Sequence, residues 1–179
     1  MKKCRVCVLM IAGILGGSMM MAAARQDGGK ARFSRTTIDL GMVVSDVERS
    51  AEFYTQALGF TEAGGFDVSA QMAGDTGLTD QRPFHVRIFV LGEEPTATRL
   101  KMMTIPGAGS QKVDNRYIGS SLGFRYLTIN VADLTQALER LRQQGIAPVK
   151  EPYPLGGQDY LILVKDPDGN IVELIGPRQ

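Results

Sequence analysis

Two stretches of this chain are spelled on one plan, and that repeat restricts the fold more than any other feature of it. "VSDVERSAEFYTQALGF", Val44 to Phe60, returns as "VADLTQALERLRQQGI", Val131 to Ile146, with Val44 matching Val131 at an offset of 87 residues. Each copy runs valine, a small residue, aspartate, then a helical pattern that stops at glycine. Asp46 and Asp133 are natural N-caps, because a carboxylate accepts the orphan N–H groups of the first helical turn and suits the positive end of the dipole. Val47, Ala51, Tyr54 and Leu58 in the first copy, and Leu134, Leu138 and Leu141 in the second, place one apolar face on each helix. Gly59 and Gly145 supply the left-handed residue that ends each helix. Upstream, "DLGMVVSD" and "YLTINVAD" both alternate as strands and both end at the capping aspartate.

The rest of the chain extends the parallel. After a strand from Thr37 to Val44 and the first helix comes "TEAGGFDVSAQMAGDTGLTDQRP", Gly-rich and polar, which predicts one weak strand near Phe66 to Met72 and a mobile loop. "FHVRIFVLG" and "TRLKMMTI" read as strands, so the first module, residues 36–106, is β-α-β-β-β. The stretch "PGAGSQKVDNRYIGSS" carries Pro, Gly and Ser and few apolar residues, and the linker is placed at 107–122. The second module, 123–179, repeats the order: a strand from Phe124 to Val131, a helix from Leu134 to Gln144, a strand near Pro148 to Glu151, then "YLILVK" and "NIVELI". Between the last two, "DPDG" has Pro167 and Gly169 where a tight hairpin turn wants them. The expectation is an α+β fold of two tandem βαβββ modules forming a curved mixed-sheet cup, 36–176 making one domain. One module alone would leave an apolar sheet face open, and pairing two encloses it.

Composition narrows the class. The 179 residues suffice for one well-buried domain, and 44% apolar with 22% charged residues argues against disorder. With a formal charge of +1, no Trp and no Lys/Arg cluster outside the N-terminus, a general nucleic-acid binder is excluded. The N-terminus differs from everything after it: "MKKCR" is basic, "VCVLMIAGILGGSMMMAAA" is apolar and small, and no acid precedes Asp27. This reads as a secretory signal, residues 1–24, cut after Ala24, followed by a polar lead at 25–35. The alternative is an uncleaved anchor helix, since Val6 to Ala24 is long enough to span a bilayer. Cys4 and Cys7 both lie in this segment, so a mature chain has no disulfide and no thiol nucleophile. Removing Lys2, Lys3 and Arg5 leaves 17 basic residues against 19 acidic ones, a net charge of −2. The expected location is periplasmic or extracellular.

"DLGMVVSDVERSAEFYTQALGF", "YLTINVADLTQALERLRQQG" and "VKDPDGNIVELIGP", in that order, resemble the vicinal oxygen chelate superfamily, which holds glyoxalase I, extradiol dioxygenases and bleomycin-binding proteins. In its metal-dependent members the resemblance implies a divalent ion in the cup, held from the first and last strands of each module. The first-strand ligand stands seven residues before the capping Asp, which gives Asp39 and Tyr126 here. The last-strand ligand is the Glu of an "-E-L-" step, which is Glu173 in the second module. Its counterpart in "LKMMTI" is Lys101, or Met103 on a two-residue shift. Two acids, a phenol and a lysine make a poor cage for a hard cation, so no cofactor is expected and a divalent metal is disfavoured. If one is bound, Asp39 and Glu173 are its ligands.

Each candidate has a functional and a structural reading. Glu173 is a general base or the ion-pair partner of Lys101 across the cup. Asp39 is a cup acid or a polar residue at a strand start; Tyr126 is a donor to a substrate oxygen or an aromatic wall. By alternation Tyr126, Thr128 and Asn130 face the cup, opposite Leu127, Ile129 and Val131, and such a polar row suits a small-molecule site. Arg87 is suited to a substrate carboxylate or phosphate, and His85 shares its strand face, the plainer reading being an exposed face. Met102 and Met103 read as core and pocket lining. The sequence thus predicts an exported protein that binds a small organic molecule in its cup without the usual metal. The alternative is a lyase or isomerase with Glu173 as base and Lys101 or Tyr126 stabilising an enolate oxygen. A third is a metal enzyme on Asp39 and Glu173. Its partners are then a small molecule, no nucleic acid, the membrane only through an uncleaved N-terminus, and a second copy, since dimers are common in the family.

Overall fold

Both capping aspartates act as their positions imply. Asp46 Oδ1 accepts from the Arg49 N–H at 3.1 Å, and Asp133 Oδ1 from the Thr135 and Gln136 N–H groups at 2.8 and 3.3 Å. The computed structural model describes residues 32–93 and 95–179. The expected signal, its cut after Ala24 and the start of the polar lead lie outside the described residues.

In chain order the elements are β1 (Asp39–Val43), α1 (Val47–Glu52) running on into a π-helical turn (Phe53–Ala57), β2 (Thr61–Val68), α2 (Ala70–Asp75), β3 (Phe84–Val90) and β4 (Arg99–Met103). A 3₁₀ turn, Ile118–Ser120, sits in the linker. Then follow β5 (Tyr126–Asn130), α3 (Leu134–Gln143), β6 (Tyr153–Gly156), β7 (Asp159–Lys165) and β8 (Ile171–Pro177). They form two four-stranded sheets of the same order, β1-β4-β3-β2 and β5-β8-β7-β6, each with its first and last strands parallel and the rest antiparallel. The expected two-module α+β fold is present.

Two expectations are corrected. The weak strand near Phe66 to Met72 is instead the longer β2, followed by the helix α2. Ser69 caps that helix by accepting from the Met72 N–H at 3.1 Å, a Ser-x-x cap signal hidden in a Gly-rich stretch. Strand β2 reaches back to Thr61 because a bulge between Glu62 and Gly65, with Gly64 at φ +97°, absorbs the poor strand formers. The strand near Pro148 to Glu151 lies further on, at β6. Pro148 and Pro152 have no N–H to give a ladder, while Gly156 and Gly157, at φ +113° and +61°, make the hairpin into β7.

The apolar stripe read from each helix is buried, and the two stripes meet. Ala51, Phe53, Tyr54, Ala57 and Leu58 from the first helix share one core with Leu134, Ala137 and Leu141 of α3 and with Phe89, Leu100, Met102, Ile129, Ile162, Val164, Val172 and Leu174 from the two sheets. The π-helical turn, closed by Leu58 N–H to Phe53 C=O at 3.3 Å, adds a residue to the turn, so that Phe53 and Tyr54 are both buried. Each large side chain so buried contributes about 1.5–3 kcal/mol relative to exposure. A smaller cluster, Val68, Ala73, Phe84 and Val86, lies on the other face of the first sheet, where α2 covers it.

The module seam also carries polar contacts, one buried and one exposed. Tyr54 Oη donates to Asp166 Oδ2 at 3.2 Å, and the Ser45 N–H donates to Asp168 Oδ2 at 2.8 Å. Both aspartates belong to the "DPDG" turn, whose Gly169 N–H to Asp166 C=O bond at 2.9 Å closes it. Asp166 is buried, and burial pushes its carboxyl up against the donors Asn170, Asp168 N–H and Tyr54. Burial first, then the charge of Asp166, lifts the Tyr54 phenol well above its ordinary value. Tyr54→Phe keeps the ring and removes the donor, and should cost about 1–3 kcal/mol in urea unfolding; an unchanged midpoint would mean that the hydroxyl does not help to hold the seam.

Candidate functional site

Strand alternation assigns the faces. Leu100 and Met102 of β4 enter the shared core, so Arg99, Lys101 and Met103 point the other way, toward the concave face. The same parity puts Asp39, Gly41 and Val43 of β1 on that face, Leu40 and Met42 packing against the core. In the second module Tyr126, Thr128 and Asn130 are exposed on the concave side while Ile129 is buried behind them. Glu173 and Ile175 of β8 lie beside them, half-buried. The edges of β1 and β5 face each other across a cleft of about 240 Å³ whose lining includes Gly41, Val43, Phe124, Tyr126 and Ile171.

Sheet register decides the two-residue ambiguity in "LKMMTI". Gly41 is paired with Lys101 and Thr128 with Glu173. Because Gly41 and Thr128 are equivalent in the repeat, Lys101, and not Met103, is the counterpart of Glu173.

Of the four expected residues, Asp39 and Lys101 pair with each other, and Glu173 is bonded within its own module by Thr128. Lys101 Nζ lies 3.0 Å from Asp39 Oδ2, and Arg35 Nη2 donates to the same oxygen at 2.6 Å. The Asp39 side chain is 11% exposed, and its Oδ1 is buried with no hydrogen-bond partner among the described residues. The hydrogen bond from Lys101 holds the Asp39 carboxyl below its ordinary range; burial opposes this, and the charges of Lys101 and Arg35 add to it. In the second module Thr128 Oγ1 donates to Glu173 Oε1 at 2.8 Å. The Lys101–Glu173 ion pair, one of the two readings of Glu173, is absent among the described residues, each partner being engaged from the adjacent strand of its own sheet. Tyr126 is half-exposed and Asn130 exposed, both open to a ligand.

Arg87 does not join them. Its guanidinium makes a fork to Glu62, Nε to Oε1 and Nη2 to Oε2 at 2.7 Å each, with Nη1 2.9 Å from Glu48 of α1. It also lies over the Phe89 ring at 5.4 Å. Phe89 is core, so parity turns Arg87 toward the helix side and corrects its assignment to ligand binding. Both acids raise the Arg87 pKa further, the Glu62 hydrogen bond first. His85, on the same face, has Nδ1 2.7 Å from Asp67 Oδ1 at the exposed edge. Sequence reasoning missed the seam role of Asp166 and Asp168, for which the only signal was their place in a turn.

The pH dependence of the Asp39–Lys101 pair has a definite sign. A carboxyl whose folded pKa is depressed adds stability above its unfolded pKa and loses it as pH falls through the folded value. Lys101→Met should lower stability by about 1 kcal/mol at pH 7, the gap from wild type closing as pH falls below about 4. Urea midpoints from pH 7 to 2 check this; a gap independent of pH would assign the effect to packing of the lysine stem.

The family model for the Glyoxalase/Bleomycin resistance protein/Dioxygenase superfamily matches residues 36–174. A probable lactoylglutathione lyase of Vibrio cholerae is 25% identical over 137 residues, 76% of this chain and 86% of that protein. A lactoylglutathione lyase of Arabidopsis thaliana is 28% identical over 74% of this chain, which spans 41% of its length. A glyoxalase family protein from Bacillus cereus superposes with a TM-score of 0.70 at 18% identity, over 84% of this chain and 99% of that one, a likeness of fold.

Proposed function

Because the chain belongs to the glyoxalase/bleomycin resistance protein/dioxygenase superfamily, we propose that it is an exported member that binds a small organic molecule in the cup between its modules, without a divalent metal. The observation that carries this reading is the ammonium of Lys101 on Asp39 Oδ2, at the place where the other repeat has the carboxylate of Glu173. A hard cation wants several oxygen or imidazole donors and no like charge beside it. Here one acid is occupied by two cations, the other is held by Thr128, and among the described residues no three His, Cys, Asp or Glu side chains converge. The donor set does not suit the ion. A cleft lined by Gly41, Val43, Phe124, Tyr126 and Ile171, with Thr128 and Asn130 exposed further along the same strand as Tyr126, suits a small ligand. Export rests on the basic, then apolar, N-terminal segment.

Elemental analysis of the chain from Arg25 onward, purified from an exported preparation, should find no stoichiometric Mn, Fe, Ni or Zn, and adding these ions should leave the Tm unchanged. A stoichiometric ion that raises Tm would sink the metal-free reading, since a ligand of the folded state must stabilise it.

A second reading draws on Glu173, which keeps the family's carboxylate position and has one hydrogen bond, from Thr128, among the described residues. In it Glu173 takes a proton from carbon next to a carbonyl, and Lys101 or Tyr126 stabilises the enolate oxygen. The lactoylglutathione lyases among the relatives favour chemistry of this class. Glu173→Gln separates the two: under the second reading turnover falls by about 10²–10⁴ with binding retained, and under the first no turnover exists to be lost. Loss of binding together with turnover would remove the support for a base.

A further inference from the structure

The cleft between the edges of β1 and β5 is lined by a cation that pairs with no acid among the described residues. Arg125 lines it together with Asn170, Phe124 and Tyr126. The Arg125 guanidinium has five N–H groups, and neutral acceptors take three: Nε donates to the Ile118 carbonyl at 3.2 Å, and Nη2 to the Asp114 carbonyl at 2.9 Å and to Asn115 Oδ1 at 2.5 Å. The Asp114 carboxylate is taken by Arg116, whose Nη2 lies 2.9 Å from its Oδ2. Nη1 of Arg125 has no partner among the described residues. The buried Asn115 passes the contact on, donating from Nδ2 to Asn170 Oδ1 at 3.2 Å. Asn170 Nδ2 gives one N–H to Asp166 Oδ2 at 2.9 Å, and its second N–H is free among the described residues. One amide thus joins Arg125 to Asn170, and each keeps donors to spare in the same cleft.

We propose that this cleft takes a small aromatic carboxylate, its ring against Phe124 and Tyr126 and its carboxylate on the unused N–H groups of Arg125 and Asn170. The proposal rests on the cup reading above and names the class of ligand that reading leaves open. The cleft sets the size: about 240 Å³ lies below the roughly 300–1,000 Å³ of sites for drug-sized molecules, which suits a single ring. The walls call for the ring. Phe124 is wholly exposed, Tyr126 and Val43 are half-exposed, and a flat ligand that meets them takes apolar surface out of water. Arg125 calls for the charge. It is half-buried, so a neutral ligand would desolvate it further without supplying a counter-ion, where charge complementarity counts for more than in open water.

The test uses benzoate and phenylacetate, each beside its own carboxamide, with acetate and inorganic phosphate as anions that lack a ring. Binding is followed by amide shifts of isotope-labelled protein at Val43, Arg125, Tyr126 and Asn170. At least one aromatic acid should move these signals and bind about tenfold or more tightly than its amide, the size expected for a charge-assisted hydrogen bond. Phe124→Ala, which removes a wholly exposed ring, should weaken acid and amide alike by about three- to tenfold. Arg125→Gln, once its melting curve shows that it is folded, should bring the acid down to the level of the amide; if it does not fold, the wild-type comparison and Phe124→Ala decide alone. An acid preference that persists in folded Arg125→Gln would overturn the assignment to this residue. If acid and amide bind equally at the cleft, or if acetate or phosphate binds as tightly as the aromatic acids, the proposal is overturned. Shifts confined to Thr128 and Asn130 overturn it too but keep the cup reading. If no probe moves either set of signals, both fall.

Discussion

A four-stranded sheet with one helix across it cannot bury its apolar face alone, and the rest of this structure depends on how two such units solve that problem together. Tyr54, Leu58, Leu134 and Leu141 are buried because the helix of each repeat packs into a core continuous with the other's. The seam is therefore a core, and the polar contacts from Tyr54 and Ser45 to the "DPDG" turn keep the modules in register rather than supplying most of the attraction. Burial on the helix side also frees the concave side. Apart from the cluster that α2 covers, that side holds little of the core: Asp39, Lys101, Tyr126 and Glu173 belong to neither buried cluster.

That freedom is visible in the equivalent positions. Asp39 and Tyr126 stand at the same point of the repeat, as do Lys101 and Glu173, and in neither pair is the chemistry alike. Their apolar neighbours keep their character: Leu40 and Leu127, Met42 and Ile129 all pack against one core. The duplicated frame is symmetric and its concave face is not: Asp39 is held there by Arg35 and Lys101, and Glu173 by the neutral Thr128.

Much of the frame was legible from local signals. Asp46, Asp133, Gly59 and Gly145 mark helix ends by backbone chemistry that acts over a few residues, and alternation set the face of Thr128 and Asn130 correctly. The failures have equally specific causes. For Arg87 alternation could not say which face of β3 meets the helices, since Phe84 and Val86 on one side and Phe89 on the other are all buried. The helix α2 covers the first group, which gives this strand two buried faces and removes the contrast on which a parity argument relies. Helix α2 itself is too short for a periodic stripe and was visible only through its cap.

The sequence by itself determined the duplication, the order of the strands, the two helices capped by Asp46 and Asp133 and a short set of candidate residues for the concave face, because caps, turns and alternation depend on neighbours along the chain. Only the tertiary structure decided which of those residues touch. That Lys101 is the partner of Asp39 and not of Glu173, that Arg87 is held by Glu48 and Glu62, and that Asp166 receives Tyr54 all depend on strand register and on the approach of segments far apart in sequence. A side chain's charge is written in one letter, but its partner is set by which strands lie side by side.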